Sequence, residues 1–215
     1  MKDIIIVGAG GFGREVAWLI ERINQNKPEW NLLGFIDDDL SKIGLSVIDG
    51  HTVLGNVDFL TDYKQPISVV CSIAAPSVRK RIIQYCKTNP NTSFPTLIAP
   101  SVITGKNINV GEGCIICANT IVTIDVQIGS FCIINLACTI GHDAVLQDYV
   151  TVYPTVNISG HVCIGESTEI GTGTQIIQGI SVGNNTVVGA GSVVVKDLPD
   201  RCTAVGVPAK PIKFH

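Results

Sequence analysis

The chain has 215 residues, of which 46% are hydrophobic and 15% charged, and its formal net charge is −3. This charge balance does not support a basic nucleic-acid-binding surface, and the length allows one or two domains. No segment reaches the ~18 apolar residues of a membrane span, and the N-terminus runs into a glycine-rich turn, unlike a signal peptide. We therefore expect a cytoplasmic protein without nucleic-acid or membrane partners.

Predicted strands alternate with predicted helices in the first part of the chain, residues 1–95. The run Ile4 to Val7 is continuously apolar, as expected for a strand buried on both faces. The predicted elements are a strand at residues 4–7, a helix at 14–23, a strand at 33–36, a strand at 67–73 and a helix at 78–87. This alternation predicts a small Rossmann-like domain with a parallel sheet.

A glycine turn, residues 8–13, joins the first strand to the first helix. Its spacing G-x-G-x-x-G lets a phosphate approach the free N–H groups of the helix N-terminus. The glycines of this turn are Gly8, Gly10, Gly11 and Gly13. Asp37 follows the second strand and lies near the usual distance for a carboxylate that binds ribose, and Asp38 comes directly after it. The turn predicts nucleotide binding, although a purely structural strand–helix turn would have the same glycines, and the domain has room for only half of a dinucleotide fold.

From Ile98 onwards the chain repeats every six residues. Counted in sixes from Ile98 to Val194, sixteen of seventeen positions are Ile, Leu or Val, and Thr104 is the exception. A second, smaller series follows each position by four residues. This period does not fit a helix and predicts short strands joined by turns, with three hexads in each triangular coil of ~18 residues. Residues 96–215 are therefore expected to form a β-solenoid in which residues eighteen apart are stacked.

The eight cysteines are expected to be reduced and structural. Cys114, Cys132 and Cys138 fall in the small inward series, where a thiol is a compact filler. Cys114 and Cys117 form a CxxC pair, but no second pair follows at a zinc-ligand spacing. We expect no metal site.

The regular solenoid surface is interrupted at Gly141-His142-Asp143. Because Ile140 points inward, His142 is expected to lie near the strand end and to face outward. A neutral imidazole can accept a proton from an amine or a hydroxyl, and a carboxylate on the opposite ring nitrogen would fix its tautomer. Gly160 is stacked above His142, so its N–H could face an acyl oxygen. A solvated surface histidine would give the same local sequence.

These features together resemble a known family. The glycine turn with Arg14-Glu15, the segment at residues 35–38, the hexads, the triplet at 141–143 and the C-terminal residues 206–211 carry the resemblance. They are similar to sugar O-acyltransferases of the sialic acid O-acetyltransferase type and to bacterial N-acetyltransferases that act on nucleotide-linked 4-amino-4,6-dideoxy sugars. The resemblance implies a left-handed parallel β-helix after the Rossmann-like domain, a homotrimer, and acetyl-CoA bound in the groove between neighbouring subunits.

The resemblance also implies roles for individual residues. His142 would be the general base, Asp143 would raise its basicity, and the amide of Gly160 would face the thioester. The implied coenzyme contacts are Thr151, Gly160, Thr172, Ala190 and Lys210. The implied substrate contacts are Gly8, Gly10, Gly11, Gly13, Asp37 and Asp38. Some relatives carry a second histidine at the position of Thr151, so acetyl positioning can differ here.

The expected reaction is direct acetyl transfer from acetyl-CoA to the amine of a nucleotide-linked amino sugar, without a metal or a covalent enzyme intermediate. Three alternatives remain open at this point. The acceptor could be a sugar hydroxyl, as in sialic acid O-acetylation. The chain could be a non-catalytic solenoid subunit, or the glycine turn could belong to a nicotinamide oxidoreductase.

Overall fold

The structure is a computed structural model that describes residues 1–215. The chain divides into two compact units, Met1–Pro100 and Ser101–His215. The elements of the first unit are β1 (Lys2–Val7), α1 (Gly11–Asn26), β2 (Trp30–Ile36), a 3-10 helix (Leu40–Lys42), β3 (Ser46–Ile48), β4 (His51–Gly55), α2 (Asp58–Asp62), β5 (Ile67–Cys71), α3 (Pro76–Cys86), β6 (Thr92–Ser93) and β7 (Leu97–Ile98). No helix is long and apolar enough to cross a membrane.

The sheet of the first unit has the strand order β3-β4-β2-β1-β5-β6. All neighbouring pairs are parallel except β3 and β4. Ile4, Ile5 and Ile6 of β1 are 0% exposed, which confirms the predicted strand buried on both faces. Because β2 and β5 lie on opposite sides of β1, the strand order reverses there, and the carboxyl ends of β1 and β5 border the crevice where such sheets bind ligands.

The five elements predicted in this unit are all present, with boundaries that differ by a few residues. The sequence analysis did not predict the antiparallel pair of β3 and β4, the short α2, or β6. The pair β3–β4 does carry a local signal, the dipeptide Asp49-Gly50 between its strands. Both residues have positive φ, +47° and +82°, as a two-residue hairpin turn requires.

Short strands in three sheets build the second unit, and all pairs are parallel except the C-terminal pair β24 and β25. The strand orders are β25-β24-β22-β19-β16-β13-β10, β23-β20-β17-β14-β11-β8 and β21-β18-β15-β12-β9. The strands are β8 (Ile103–Thr104), β9 (Asn109–Val110), β10 (Ile115–Ile116), β11 (Ile121–Val122), β12 (Gln127–Ile128), β13 (Ile133–Ile134), β14 (Thr139–Ile140), β15 (Val145–Leu146), β16 (Thr151–Val152), β17 (Asn157–Ile158), β18 (Cys163–Ile164), β19 (Glu169–Ile170), β20 (Gln175–Ile176), β21 (Ser181–Val182), β22 (Val187–Val188), β23 (Val193–Val194), β24 (Cys202–Val205) and β25 (Lys210–Phe214).

The hexad residues fill the interior of this solenoid. Strands eighteen residues apart pair in register, as Ile140 does with Ile158, so the predicted stacking is confirmed. From Ile116 to Val194 every hexad residue is at most 4% exposed. The expectation that all hexads point into a core fails at the first positions, because Ile98 is 39% exposed and Thr104 is also exposed. A residue of the first coil is covered by a neighbouring coil on one side only.

The small inward residues do more than fill space. Cys114 donates through its Sγ to the carbonyl of Gly129 at 3.0 Å, and Thr120 donates to the carbonyl of Asn135 at 2.9 Å. Both donors reach a turn carbonyl fifteen residues ahead. Cysteine and threonine therefore recur in this series because each is small and carries a donor for a buried carbonyl, whose burial without a partner would be costly.

The turns between strands repeat one backbone conformation. A non-glycine residue with φ near +60° recurs in most coils, including Asp125, Asp143 and His161. Asn, Asp and His tolerate this left-handed region better than other side chains do. Because the three residues are eighteen apart, the turns align their side chains in one column.

Candidate active site

The turn between β14 and β15 holds the predicted pair His142 and Asp143. The Nδ1 of His142 lies 2.8 Å from the Oδ2 of Asp143, so the carboxylate accepts a hydrogen bond from the ring. With the proton on Nδ1, the lone pair is on Nε2, the tautomer that can act as a base. Both side chains are exposed, to 57% and 45%. The predicted pairing of an imidazole with a carboxylate is therefore present.

Gly160 lies directly against the ring of His142. A Cβ at this position would be 2.5 Å from both Cε1 and Nε2 of His142. That distance is below any real van der Waals contact, so glycine is the residue that leaves the ring in place. The stacking inferred from the eighteen-residue rule therefore brings Gly160 to the basic nitrogen of His142.

The N–H of Gly160 donates no hydrogen bond within the chain, although the residue is buried. Ser130 and Glu166 occupy the equivalent position in the turns at another corner of the triangular coil. Their N–H groups donate to side chains one coil further along, of Asp148 at 2.7 Å and of Asn184 at 2.8 Å respectively. Gly160 has no such acceptor. Since buried N–H groups in proteins are nearly always paired, this free donor beside a histidine is suited to a ligand oxygen.

His161 is a third member of this cluster, which the sequence analysis did not identify. Its Nε2 lies 3.6 Å from Oδ2 of Asp143, and its ring meets that of His142 edge-on at a centroid distance of 5.0 Å. The backbone N–H of His161 donates to the carbonyl of His142 at 2.8 Å. The sequence does carry a signal for this contact, because residue 161 is eighteen after residue 143 and therefore stacks on it.

The structure separates the predicted coenzyme contacts into two groups. Thr172, Ala190 and Lys210 are exposed, and Thr172 and Ala190 are stacked, with the N–H of Gly191 donating to the carbonyl of Thr172 at 2.8 Å. Thr151 on β16 is only 1% exposed. A buried Thr151 side chain gives no support to its predicted contact with the coenzyme.

In the first unit, the four glycines of the glycine turn fall into two pairs. Gly8 and Gly13 are buried, and a Cβ on Gly13 would lie 2.0 Å from the carbonyl oxygen of Gly8. Gly10 and Gly11 are exposed, and a Cβ on Gly10 would meet nothing within 4 Å. Only the first pair is therefore required for close packing of the turn, while the second pair lines open space.

Asp37 closes the glycine turn from the end of β2. Its carboxylate accepts from the N–H of Ala9 at 3.0 Å, the N–H of Asp39 at 3.0 Å and Nζ of Lys42 at 3.1 Å. Burial raises the pKa of Asp37, but these hydrogen bonds outweigh it and hold the pKa below its usual value. With its oxygens already used, Asp37 mainly fixes the turn. Asp38, the other predicted substrate contact, is exposed.

A cavity of about 350 Å³ lies beside the glycine turn, and Gly10, Gly11, Arg14 and Lys42 are among its lining residues. The α1 helix begins at Gly11 with no side-chain cap and no acidic residue in its first turn. Its terminal N–H groups, together with the guanidinium of Arg14, make this cavity suited to phosphate groups, whereas the charge of Lys42 is paired with Asp37 and Asp39.

Known proteins share both units of this chain. The PglD N-terminal domain family matches residues 3–86. The GDP-perosamine N-acetyltransferase of Escherichia coli O157:H7 is 29% identical over 169 residues, which cover 78% of this chain and 75% of that protein.

Solved structures match over almost the whole length. PerB from Caulobacter crescentus, in complex with CoA and GDP-perosamine, is 27% identical with a TM-score of 0.88, covering 99% of this chain and 98% of that one. The acetyltransferase domain of PglB from Neisseria gonorrhoeae, in complex with acetyl coenzyme A, is 28% identical with a TM-score of 0.86, covering 98% and 99%. The predicted resemblance and the predicted fold class are confirmed. The chain resembles nucleotide-amino-sugar N-acetyltransferases in which a PglD N-terminal domain precedes a left-handed β-helix.

Proposed function

We propose that this protein transfers the acetyl group of acetyl-CoA to the amine of a nucleotide-linked 4-amino-4,6-dideoxy sugar. One observation carries the proposal: Nδ1 of His142 is bound to Asp143 at 2.8 Å, while Nε2 lies against Gly160 and its free N–H. The relatives named above support the choice of substrates, because one is a GDP-perosamine N-acetyltransferase and others bind CoA, acetyl coenzyme A or GDP-perosamine.

His142 acts as the general base in this reaction. As the amine nitrogen attacks the thioester carbonyl, Nε2 takes the proton that the nitrogen must lose. The new C–N bond forms, the C–S bond breaks, and the proton passes on to the leaving sulfur. Asp143 holds the proton on Nδ1 and stabilises the imidazolium that forms for a moment.

Gly160 stabilises the oxygen of the tetrahedral intermediate. Its N–H is preorganised by the solenoid backbone and needs no rearrangement to donate to a developing oxyanion. Thr172 and Ala190 are proposed to contact the coenzyme, and the exposed Lys210 is proposed to pair with its phosphates. The role of Thr151 stays a prediction.

The nucleotide-sugar is proposed to bind the first unit, with residues 1–95 as the binding domain. The N-terminus of α1 and Arg14 provide positive potential for a diphosphate. Gly10 and Gly11 leave the approach open, and Asp38 has an exposed carboxylate for a hydroxyl or a base. The active assembly is proposed to be a homotrimer, for which light scattering should give about three times the chain mass of 22.8 kDa.

The proposal is tested with His142→Gln, assayed with acetyl-CoA and GDP-perosamine by following CoA thiol release. Loss of a general base typically costs ~100-fold or more in rate, so kcat should fall by at least about that factor while KM changes little. His51→Gln, which changes a histidine in the first unit, is the matched control and should keep wild-type kcat. Activity of His142→Gln within a few-fold of wild type would refute the assignment.

The acceptor atom is tested by offering the 4-hydroxy analogue of the same nucleotide-sugar. An amine is the better nucleophile at neutral pH, so we expect acetylation of the amino sugar and little product from the analogue. Faster turnover of the hydroxyl compound would instead identify an O-acetyltransferase.

A further inference from the structure

His142, Asp143 and His161 form a cluster of three metal-ligand side chains at one corner of the solenoid. One candidate ligand atom from each lies within 4.8 Å of the other two. Oδ2 of Asp143 is central, at 2.8 Å from Nδ1 of His142 and 3.6 Å from Nε2 of His161. All three side chains are exposed, so an ion from solution can reach them.

These distances approach those of a tetrahedral zinc site. Zinc binds histidine nitrogen and carboxylate oxygen at ~2.0–2.2 Å, which puts neighbouring ligand atoms ~3.3 Å apart. The observed separations of 2.8 and 3.6 Å bracket this value, and the two histidine nitrogens lie within 4.8 Å of each other. Rotation of the exposed side chains would bring the three ligand atoms to the spacing that zinc requires. Two histidines and one carboxylate are also a ligand set that zinc accepts with water in the fourth position.

The backbone keeps the ligands in place. The N–H of His161 donates to the carbonyl of His142, and the N–H of Asp143 donates to the carbonyl of Ile124, at 2.8 and 3.1 Å. The next residue of the column is Gly179, where a Cβ would meet nothing within 4 Å. The solenoid therefore fixes the turns that carry the ligands and leaves open space beyond His161.

We propose that this cluster binds one Zn²⁺ ion per chain and that the bound ion inhibits acetyl transfer. The ion would take Nδ1 of His142, from which the proton must leave. Because a neutral imidazole carries one N–H, the proton displaced from Nδ1 is replaced by a proton on Nε2. The Nε2 lone pair, which serves as the base, is then no longer available. The binding stands on geometry alone, whereas the inhibition rests on the proposed function.

The experiment uses the full chain with Cys163→Ser as the parent, because Cys163 is the exposed cysteine and a competing zinc ligand. Zn²⁺ binding is measured by calorimetry, and Co²⁺ binding by the visible absorption of a tetrahedral complex. The test variant adds His161→Asn, since asparagine tolerates the φ of +58° at this position and is a poor zinc ligand. The control variant adds His51→Gln instead.

We expect one ion per chain in the parent and in the control. Since loss of even an outer-shell partner lowers metal affinity ~10–100-fold, His161→Asn should weaken Zn²⁺ binding at least about tenfold. The Zn²⁺ concentration that halves each variant's own rate should rise by the same factor, and EDTA should restore the parent's rate. Equal Zn²⁺ affinity in the parent and in His161→Asn overturns the site. Tight Zn²⁺ binding without inhibition would support the site and overturn its proposed effect on catalysis. If the chain has a different activity, calorimetry still decides whether the site binds Zn²⁺.

Discussion

At the scale of single residues, the imidazole of His142 is held by its surroundings on several sides. Asp143 fixes the proton on Nδ1, Gly160 leaves room for the ring, and His161 meets it edge-on. A base that is exposed to 57% would otherwise sample several rotamers. The neighbours restrict that freedom, and such restriction of a catalytic group lowers the cost of reaching the reactive geometry.

Gly160→Ala tests this contact. The backbone of Gly160 does not have the positive φ that would strain alanine. The new methyl group would lie 2.5 Å from Cε1 and Nε2 of His142, so its main effect should be to displace that ring. A displacement of ~1 Å at a catalytic group can cost ~100-fold in rate, and we expect kcat to fall by about 10- to 100-fold. The measurement is steady-state kinetics with a parallel thermal melt.

The melt separates the two ways in which Gly160→Ala could lose activity. A melting temperature within a few degrees of wild type would assign the loss to the ring. Wild-type kcat in this variant would contradict the proposed geometry at His142.

The residues of the site differ in how far the sequence could predict them. His142, Asp143 and Gly160 followed from a triplet that breaks the hexad pattern and from stacking by eighteen. The contact of His161 needed the same rule applied to residue 143. The hydrogen bonds that Asp37 accepts from Ala9, Asp39 and Lys42 could not be predicted from the sequence. They depend on which backbone N–H groups the folded turn leaves without other partners.

At the scale of elements, the glycines of the glycine turn have different structural roles although they belong to one motif. Gly13 packs its Cα against the carbonyl of Gly8, which lets α1 begin close to the end of β1. Ser72, after β5, donates to the carbonyls of Val7 and Gly8 at 2.8 and 3.1 Å. The strand ends at the crevice are thus tied together through this turn, while Gly10 faces open space.

Gly13→Ala and Gly10→Ala form a matched pair in this turn. A Cβ on Gly13 would lie 2.0 Å from a backbone oxygen, so the turn must open. We expect a loss of about 1–3 kcal/mol in the free energy of unfolding, the range for overpacked sites. Gly10→Ala should stay within about 0.5 kcal/mol of wild type, as for substitutions that meet nothing. Urea unfolding measures both, and equal effects would contradict the division of the glycines into two pairs.

Adjacent isoleucines of one coil provide a second matched pair. Ile176 ends β20 and is 2% exposed, whereas Ile177 begins the following turn and is 38% exposed. Truncating a buried isoleucine to alanine typically costs ~2–5 kcal/mol, so Ile176→Ala should lose stability in that range.

Ile177→Ala removes the same atoms from a partly exposed site and should lose clearly less. The midpoints and slopes of urea unfolding compare the two variants. A larger loss for Ile177→Ala would show that the register assigned to the hexads is wrong.

At the scale of the whole molecule, burial decides the chemistry of the cysteines. All eight thiols are free, and Cys163 is the exposed one. Burial raises the pKa of Cys71 to about 11, that of Cys86 to about 12 and that of Cys138 to about 11. Because the thiolate is the reactive form, these buried thiols are inert at neutral pH.

Thiol labelling with a disulfide reagent tests this distribution. In the native protein at neutral pH we expect one fast-reacting thiol, and Cys163→Ser should remove it. In denaturant all eight should react. Several fast thiols in the native protein would contradict the burial of the inward cysteine series.

Much of the architecture was determined by the sequence alone, because it is periodic. A strict six-residue period, with three hexads in each coil, defines which residues stack, and it predicted nearly every inward residue, the paired strands and the column that contains Asp143 and His161. The alternation of apolar strand segments with helical segments in the first unit is likewise a pattern of residues that are close in sequence. Patterns that repeat along the chain need no knowledge of distant contacts.

Only the tertiary structure decided what the individual polar groups do. Asp37 binds a backbone N–H, Thr151 is buried, and His161 lies close to Asp143. Each of these outcomes depends on distances between residues that are far apart in sequence or on different coils. Hydrogen bonds and close contacts vary over tenths of an ångström, and a hydrophobic period specifies which side of a strand faces the core but not which donor meets which acceptor.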